Sequence, residues 1–259
     1  MITSTQNPKI RLIHRLQTSA RKRKEAGVFV IEGIRLVEES FSAGWKPQSV
    51  FYTDGLSDRG FRLIDKFIGS GVDIYKVNAE VMRYASDTQT PQGLLAIVPM
   101  HKWEIPASLD FVLILDSVRN PGNLGTILRT ALAAGVDLAI LPPGTVDLYS
   151  PKVVRAAMGA HFRMPILQID WDEIRELVKP LRVYLADVKG RFSCFDSQFQ
   201  IPLALIMGGE AKGAGSEARL LANETIFIPM LGKAESLNAA IAAAILMFEV
   251  LRQRGMVNE

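Results

Sequence analysis

The stretch NETIFIPMLGKAESLNAAIAAAILMFEVLRQR, residues 223–254, decides how the chain reads. A short β-type run, Thr225 to Ile228, stops at Pro229, and a turn containing Gly232 follows. Glu235, Ser236 and Asn238 then stand at the mouth of a segment that carries no charge from Ser236 to Phe248. A helix that is apolar nearly all round is buried on most faces, in a core or against another subunit. Polar side chains at its entrance are held accurately because such a helix cannot shift. A helix cap alone is enough reason for Ser or Asn at that position.

Upstream of this stretch, buried-type strands alternate with helices. Phe111–Leu115 is a continuous apolar run of the kind found in parallel sheets. A helix is expected over Leu124–Ala134, then a strand at Leu138–Leu141, a helix at Pro151–Met158 and a strand at Pro165–Ile169. A helix at Asp172–Val178 and strands at Arg182–Ala186 and Leu203–Met207 complete the series. This pattern predicts an α/β fold with an open, mostly parallel sheet and helices on both faces, whose ligands bind beyond the carboxyl ends of the strands. Residues 25–98 hold four further short strands with intervening helices, a smaller α/β module. The two-proline segment 99–108 reads as a linker, which gives a basic arm over 1–24, a module over 25–98 and a second domain over 109–259.

The 259 residues are 48% hydrophobic and 22% charged, with a net charge of +3 and a pI near 9.0. The mild basic bias says less than its placement. Residues 1–24 contain Lys9, Arg11, Arg15, Arg21, Lys22, Arg23 and Lys24 and no acid. Apolar residues interleave so as to predict an amphipathic helix over Pro8–Thr18. The cluster Arg21, Lys22, Arg23 and Lys24 is a candidate phosphate-contacting patch, its alternative being a solvated basic face. The single Cys194 allows no internal disulfide, which fits a reducing compartment. His14, His101, His161 and Cys194 lack metal-ligand spacing, so no metal is expected. The longest apolar run, Ala239 to Phe248, is far below the roughly 18 residues of a membrane span, and the N-terminus has no apolar signal core. A soluble, cytoplasmic protein is expected.

Three polar clusters follow three buried strands. In the first, from Asp116 to Thr130, Asn123 is placed to cap the following helix, and Arg129 is the only charge between Asn123 and Ala134. A lone guanidinium on a small, apolar helix suits a dedicated anionic partner or a structural ion pair. The second, Gly208-Gly-Glu210-Ala-Lys-Gly213-Ala-Gly215, surrounds one glutamate with glycines that let a ligand approach closely. It is neither a Walker loop nor a dinucleotide fingerprint. The third is Ile228-Pro-Met230 with Ser236-Leu237-Asn238.

In this order the three clusters resemble the signature motifs of the SpoU family of RNA ribose 2′-O-methyltransferases, over about residues 108 to 254. The Asn-x-Gly-x5-Arg core is matched at Asn123, Gly125 and Arg129, the Gly-x-Glu loop at Gly208 and Glu210, and Ile-Pro-Met with Ser-Leu-Asn at Ile228–Met230 and Ser236–Asn238. The start of the N-terminal module, Phe29-Val-Ile-Glu-Gly, resembles the ribosomal-protein-L30e-type substrate-binding domain of members that modify 23S ribosomal RNA. Two departures stand out: Ala211-Lys212 intervenes before Gly213, and Asn238 is followed by Ala-Ala-Ile-Ala.

The resemblance implies a deep trefoil knot, a homodimer, and S-adenosyl-L-methionine held by Met207, Gly208, Gly209, Ile228, Met230 and Leu237. It also implies a catalytic set of Asn123, Arg129, Glu210, Ser236 and Asn238, with Asn123 and Arg129 facing the partner subunit's cofactor. RNA contacts fall to Arg21–Lys24 and Arg129. An arginine, with a pKa above about 12, is a poor base, so binding the adjacent phosphate and stabilising the developing alkoxide suits Arg129 better. Glu210 would fix its loop or hold the Arg129 guanidinium. The expected substrate is 23S rRNA. A tRNA 2′-O-methyltransferase and a non-catalytic RNA-binding or ribosome-assembly factor of the same fold are the alternatives.

Overall fold

The structure is a computed structural model describing residues 1–210, 213–232 and 234–255. The departure at Ala211-Lys212 lies outside these residues. The chain divides into two compact units, one made of residues 1–102 with 147–162, the other of 103–146 with 163–259.

In the first unit, helix α1 (Pro8–Thr18) starts where Asn7 accepts the Lys9 amide and Pro8 fixes the first turn, as the sequence pattern predicts. Ile10, Ile13 and Leu16 form its buried stripe. Ser19 caps α2 (Ala20–Ala26), which Gly27 ends in the left-handed region. There follow β1 (Val28–Glu32), α3 (Ile34–Ser42), β2 (Ser49–Tyr52), α4 (Asp58–Phe67), β3 (Asp73–Lys76), α5 (Ala79–Ala85) and β4 (Leu94–Pro99). The sheet order is β1-β4-β2-β3, with β4 antiparallel to both neighbours and β2 parallel to β3.

In the second unit, β5 (Phe111–Asp116), α6 (Pro121–Ala133) and β6 (Leu138–Ile140) lead to residue 146. The next segment, with α7 (Pro151–Ala157) and a 3₁₀ turn (Ala160–Phe162), belongs to the first unit. The second unit resumes with β7 (Ile166–Leu167), α8 (Trp171–Val178), β8 (Arg182–Ala186), β9 (Phe192–Ser193), β10 (Leu203–Gly208), α9 (Ser216–Leu221), β11 (Glu224–Phe227) and α10 (Ala239–Gln253). Among the described residues its seven strands run β7-β6-β5-β10-β8-β11-β9, all paired in parallel. The central strands β5, β10 and β8 are apolar throughout their middles, as burial on both faces requires. β5 and β10 end in register, with Gly208 opposite Asp116, so the loops after them leave the sheet together.

The segment 147–162 is where the structure departs from a single domain over 109–259. Its Asp147 carboxylate accepts from the Arg23 guanidinium, which also donates to the carbonyls of Leu16 and Gln17. Arg23 is 4% exposed. It therefore does not sit in a phosphate-contacting patch: a guanidinium with its donors already satisfied inside the protein has none to offer RNA. Arg21 and Lys22 both pair with Glu25 on the surface, leaving Lys24 exposed.

Phe29 packs on Tyr149 and Phe162 of the same segment, and His161 is buried beside them. The His161 Nε2–H donates to the Leu148 carbonyl at 2.8 Å, while Nδ1 has no hydrogen-bond partner among the described residues. Protonating Nδ1 would bury an unpaired N–H, and burial accordingly pushes the His161 pKa down to about 4. Because the folded-state pKa lies below the unfolded value, the unfolded chain takes up the extra proton. Stability should thus be full above pH 6.5 and decline as pH falls towards 4. Its slope over that window is expected to be up to about 1.4 kcal/mol per pH unit. Urea unfolding across this range should show that decline in the wild type and a flatter profile in His161→Gln, which cannot titrate.

Candidate active site

All three polar clusters gather at the carboxyl end of the seven-stranded sheet. The loop after β5 is led by Asp116, whose buried carboxylate accepts the Gly215 amide at 2.6 Å and the Ser117 hydroxyl at 2.9 Å. Ser117 has φ 58°, a conformation that costs a residue with a side chain about 1 kcal/mol or more. Its carbonyl lies against Gly209, where an added Cβ would stand 2.2 Å from the oxygen. A Cβ on Gly208 would meet the Ala214 amide nitrogen at 2.4 Å. These two positions admit no side chain because backbone passes directly over backbone.

The cap of α6 is Asn120, which accepts from the Gly122 and Asn123 amides, and Pro121 occupies the first turn. Asn123, expected to be the cap, lies inside the first turn, which frees its amide group. Its Nδ2 donates to Glu210 Oε1 at 2.8 Å, and its Oδ1 accepts from Asn238 Nδ2 at 3.1 Å. Asn238 in turn caps α10, accepting from the Ala240 and Ile241 amides. The helix thus begins at Ala239 rather than Ser236. Glu210 also accepts the amides of Arg119 and Asn120, both at 3.2 Å. Burial raises the Glu210 pKa, but hydrogen bonds from Asn123 and these amides outweigh it and hold the carboxyl below its usual range. The Glu210 carboxylate is thus engaged by the α6 entrance, and among the described residues of one chain it makes no contact with Arg129.

A cavity of about 690 Å³ opens between the loops, within the size range of small-molecule sites. Met207, Gly208, Gly209, Ile228, Met230 and Leu237 all line it, as do Glu210, Ser236 and Asn238. Asn123 and Arg129 are not among its lining residues. Arg129 is exposed on α6, with no hydrogen bond or ion pair among the described residues.

Sequence reasoning missed one wall, Asp187 to Lys189 after β8, with Arg219 from α9 beside it. Asp187 and Arg219 pair at 2.8 Å. Burial works against the Asp187 charge, but the Lys189 amide and Arg219 more than offset it and keep its pKa low. The signal was available, since Asp187 directly follows a buried strand at the ligand edge. Asp116, which anchors the glycine loop, was also passed over.

Residues 110–248 match the SpoU rRNA Methylase family and residues 7–96 the MRM3-like substrate binding domain. The chain is 32% identical to the 23S rRNA (guanosine(2553)-2′-O)-methyltransferase RlmP of Bacillus subtilis, covering 96% of this chain and 98% of that protein. It is 37% identical to rRNA methyltransferase 3A, mitochondrial, of Danio rerio, over 92% of this chain but only 66% of the fish protein. In structure it resembles the SpoU methyltransferase AviRb from Streptomyces viridochromogenes in complex with AdoMet. The TM-score there is 0.86 at 29% identity, covering 97% of this chain and all of that one. The chain belongs to the SpoU rRNA methylase family, as its three motifs indicated.

Two substitutions probe this architecture. Asn238→Asp keeps an acceptor to cap α10 but cannot donate to Asn123, setting acceptor against acceptor. Thermal stability should stay close to wild type, whereas S-adenosylmethionine affinity by calorimetry should fall about tenfold, the value of one lost hydrogen bond. Wild-type affinity would show the link between the loops to be dispensable. Gly209→Ala forces its Cβ onto the Ser117 carbonyl and should cost at least about tenfold in cofactor affinity, or about 1.4 kcal/mol, in the same titration.

Proposed function

We propose that this protein transfers the methyl group of S-adenosyl-L-methionine to the 2′-hydroxyl of one ribose in 23S ribosomal RNA. The observation that carries this reading is the cavity at the ends of β10 and β11, whose floor is glycine backbone with no room for a side chain and whose walls include Met207, Ile228 and Leu237. Such a cradle fits the flat adenine ring of the cofactor, approached by backbone groups, with polar side chains on the same walls for its charged end. When bound, the sulfonium supplies the methyl: the ribose oxygen forms the new O–CH₃ bond as the S–CH₃ bond breaks, its electron pair staying on sulfur.

The protein's own groups position and stabilise. The Glu210–Asn123–Asn238 link holds the three loops at fixed separation. Ser236, exposed at the cavity wall, is available to orient the ribose. Arg129, charged and unengaged, binds the phosphate next to the target ribose and stabilises the developing alkoxide, and the hydroxyl proton leaves to a phosphate oxygen or water.

The active site is completed by a second copy of the chain. Asn123 and Arg129 sit outside the cavity of their own subunit. On α10, Ile241 and Phe248 are 53% and 51% exposed on one stripe with half-buried Ile245, although the opposite face packs on α6 and β10. An apolar stripe of this kind on an otherwise buried helix suits a homodimer contact. The C-terminal chain forms the trefoil knot of the family, the first unit is its L30e-type RNA-binding module, and the enzyme works in the cytoplasm. No helix among the described residues is long and apolar enough to cross a membrane. A tRNA substrate is the second reading, and the additional N-terminal unit favours the larger, structured RNA.

Arg129→Lys retains charge but loses the planar fork. Turnover on a 23S rRNA transcript should fall roughly a hundredfold with cofactor affinity unchanged. Near-wild-type turnover would rule out recognition through the guanidinium. Mapping 2′-O-methylation in ribosomal RNA from cells with and without the protein should reveal one position that loses its methyl group. No cofactor binding at millimolar concentration would end the methyltransferase reading.

A further inference from the structure

Burial and pairing have removed most of the expected phosphate patch of the basic arm: Arg23 is inside the protein, and Arg21 and Lys22 share Glu25. The unneutralised charge lies elsewhere on the same unit. Arg11 and Arg15, one turn apart on the exposed face of α1, have no acidic partner among the described residues, and neither has Arg83 on α5. Most other arginines of the two units are paired, Arg59 with Glu38, Arg155 with Asp87 and Arg175 with Glu217 among them.

An aromatic pair joins the two helices that carry these arginines. His14, which follows Arg11 by three residues and precedes Arg15, stacks on Tyr84, the residue after Arg83, with ring centroids 4.6 Å apart and planes inclined by 19°. The pair is fixed from behind: His14 Nδ1 lies 3.3 Å from the Tyr84 carbonyl, α1 packs on α5, and the capping Asn78 accepts the Val81 amide to start α5. Tyr84 remains 38% exposed. A large aromatic ring open to solvent and backed by a second ring, with free arginines on the same two helices, suits neither a core nor an ordinary solvated surface. Glu80, one turn before Tyr84, is the acid nearest on that helix, so the face is cationic without being uniformly so.

We propose that the α1–α5 face is an RNA contact in which an unpaired base stacks on the Tyr84–His14 pair while Arg11, Arg15 and Arg83 take the flanking phosphates. Aromatic stacking with arginine at the backbone is how proteins hold single-stranded or looped RNA, since A-form duplex offers no free base face. The partner is therefore an unpaired nucleotide of a structured RNA. The proposal rests on RNA being the substrate, and it assigns the grip to α1 and α5 in place of residues 21–24.

The test uses the full-length protein and transcripts of 23S rRNA domains, read by filter binding over a series of salt concentrations. The double variant Arg11→Gln/Arg15→Gln should weaken binding and lower the slope of log affinity against log salt by about 1.5 to 2, one phosphate contact per arginine. Tyr84→Ala should weaken binding about tenfold at an unchanged salt slope, and Tyr84→Phe, which retains the ring, should stay within about twofold of wild type. Calorimetric S-adenosylmethionine affinity should be unchanged in all three, which shows that each is folded. Crosslinks from 4-thiouridine-substituted transcripts should map to residues 11–18 or 79–85. Wild-type affinity and slope in the double variant, a Tyr84→Ala protein that binds as tightly as wild type, or a Tyr84→Phe protein as weak as the alanine variant would each overturn the proposal. Failure of the methyltransferase reading looks different, because the wild type itself would then bind no cofactor.

Discussion

Three loops from distant parts of the sequence are joined by a line of hydrogen bonds with a single direction. The amides at the start of α10 donate to Asn238, Asn238 donates to Asn123, and Asn123 donates to Glu210. Each asparagine offers one donor and one acceptor, and the sequence of donors ends on a carboxylate that can only accept. Aligned bonds of this sort reinforce each other, and the positive end of the helix and the negative carboxylate sit at the correct ends. Glu210 then passes the constraint to the entrance of α6 through two backbone amides. The distance between the α6 and α10 entrances is thereby set by side chains that cannot be exchanged for isosteres without opposing like with like.

The glycine loop depends on the same arrangement from below. Gly208 ends β10 opposite Asp116, and Asp116 reaches across to the Gly215 amide, so the loop is tied at both ends to neighbouring strands. The close passage of the Ser117 carbonyl over Gly209 leaves little freedom at the start of the loop. A ligand in the cavity meets backbone whose position is already fixed before it arrives, which lowers the ordering cost of binding.

Much of this was legible from residue order. The strands of both sheets could be read because apolar runs bounded by Gly, Pro or Asn have few other uses, and Arg182–Ala186 has the same limits in sequence and structure. The strand β9 and the helices α2 and α9 were not: α2 lies within the basic run Arg21–Lys24 and has no apolar stripe to reveal it. In the first motif the sequence offers two asparagines three residues apart, and either could cap. Pro121, suited to the first helical turn, marks Asn120 as the cap, a signal the reading of Asn123 did not use. Arg23 could not be read at all. Its partner Asp147 is 124 residues away, and a run of basic residues does not reveal which member is neutralised by a distant carboxylate.

The excursion of residues 147–162 into the first unit has a consequence for how this protein can be divided. The backbone passes from one unit to the other three times, after residues 102, 146 and 162, so the two units cannot be separated by one cut. A fragment ending near residue 102 would expose the Phe29 side chain and leave the Arg23 charge buried without its counterion. A fragment beginning there would carry Asp147, Tyr149 and Phe162 with nothing to pack on. Gene fusion or recombination at the proline-rich segment 99–108, the obvious seam in the sequence, would therefore transplant an incomplete module. A viable exchange of the first unit between relatives must carry the later segment along with the first.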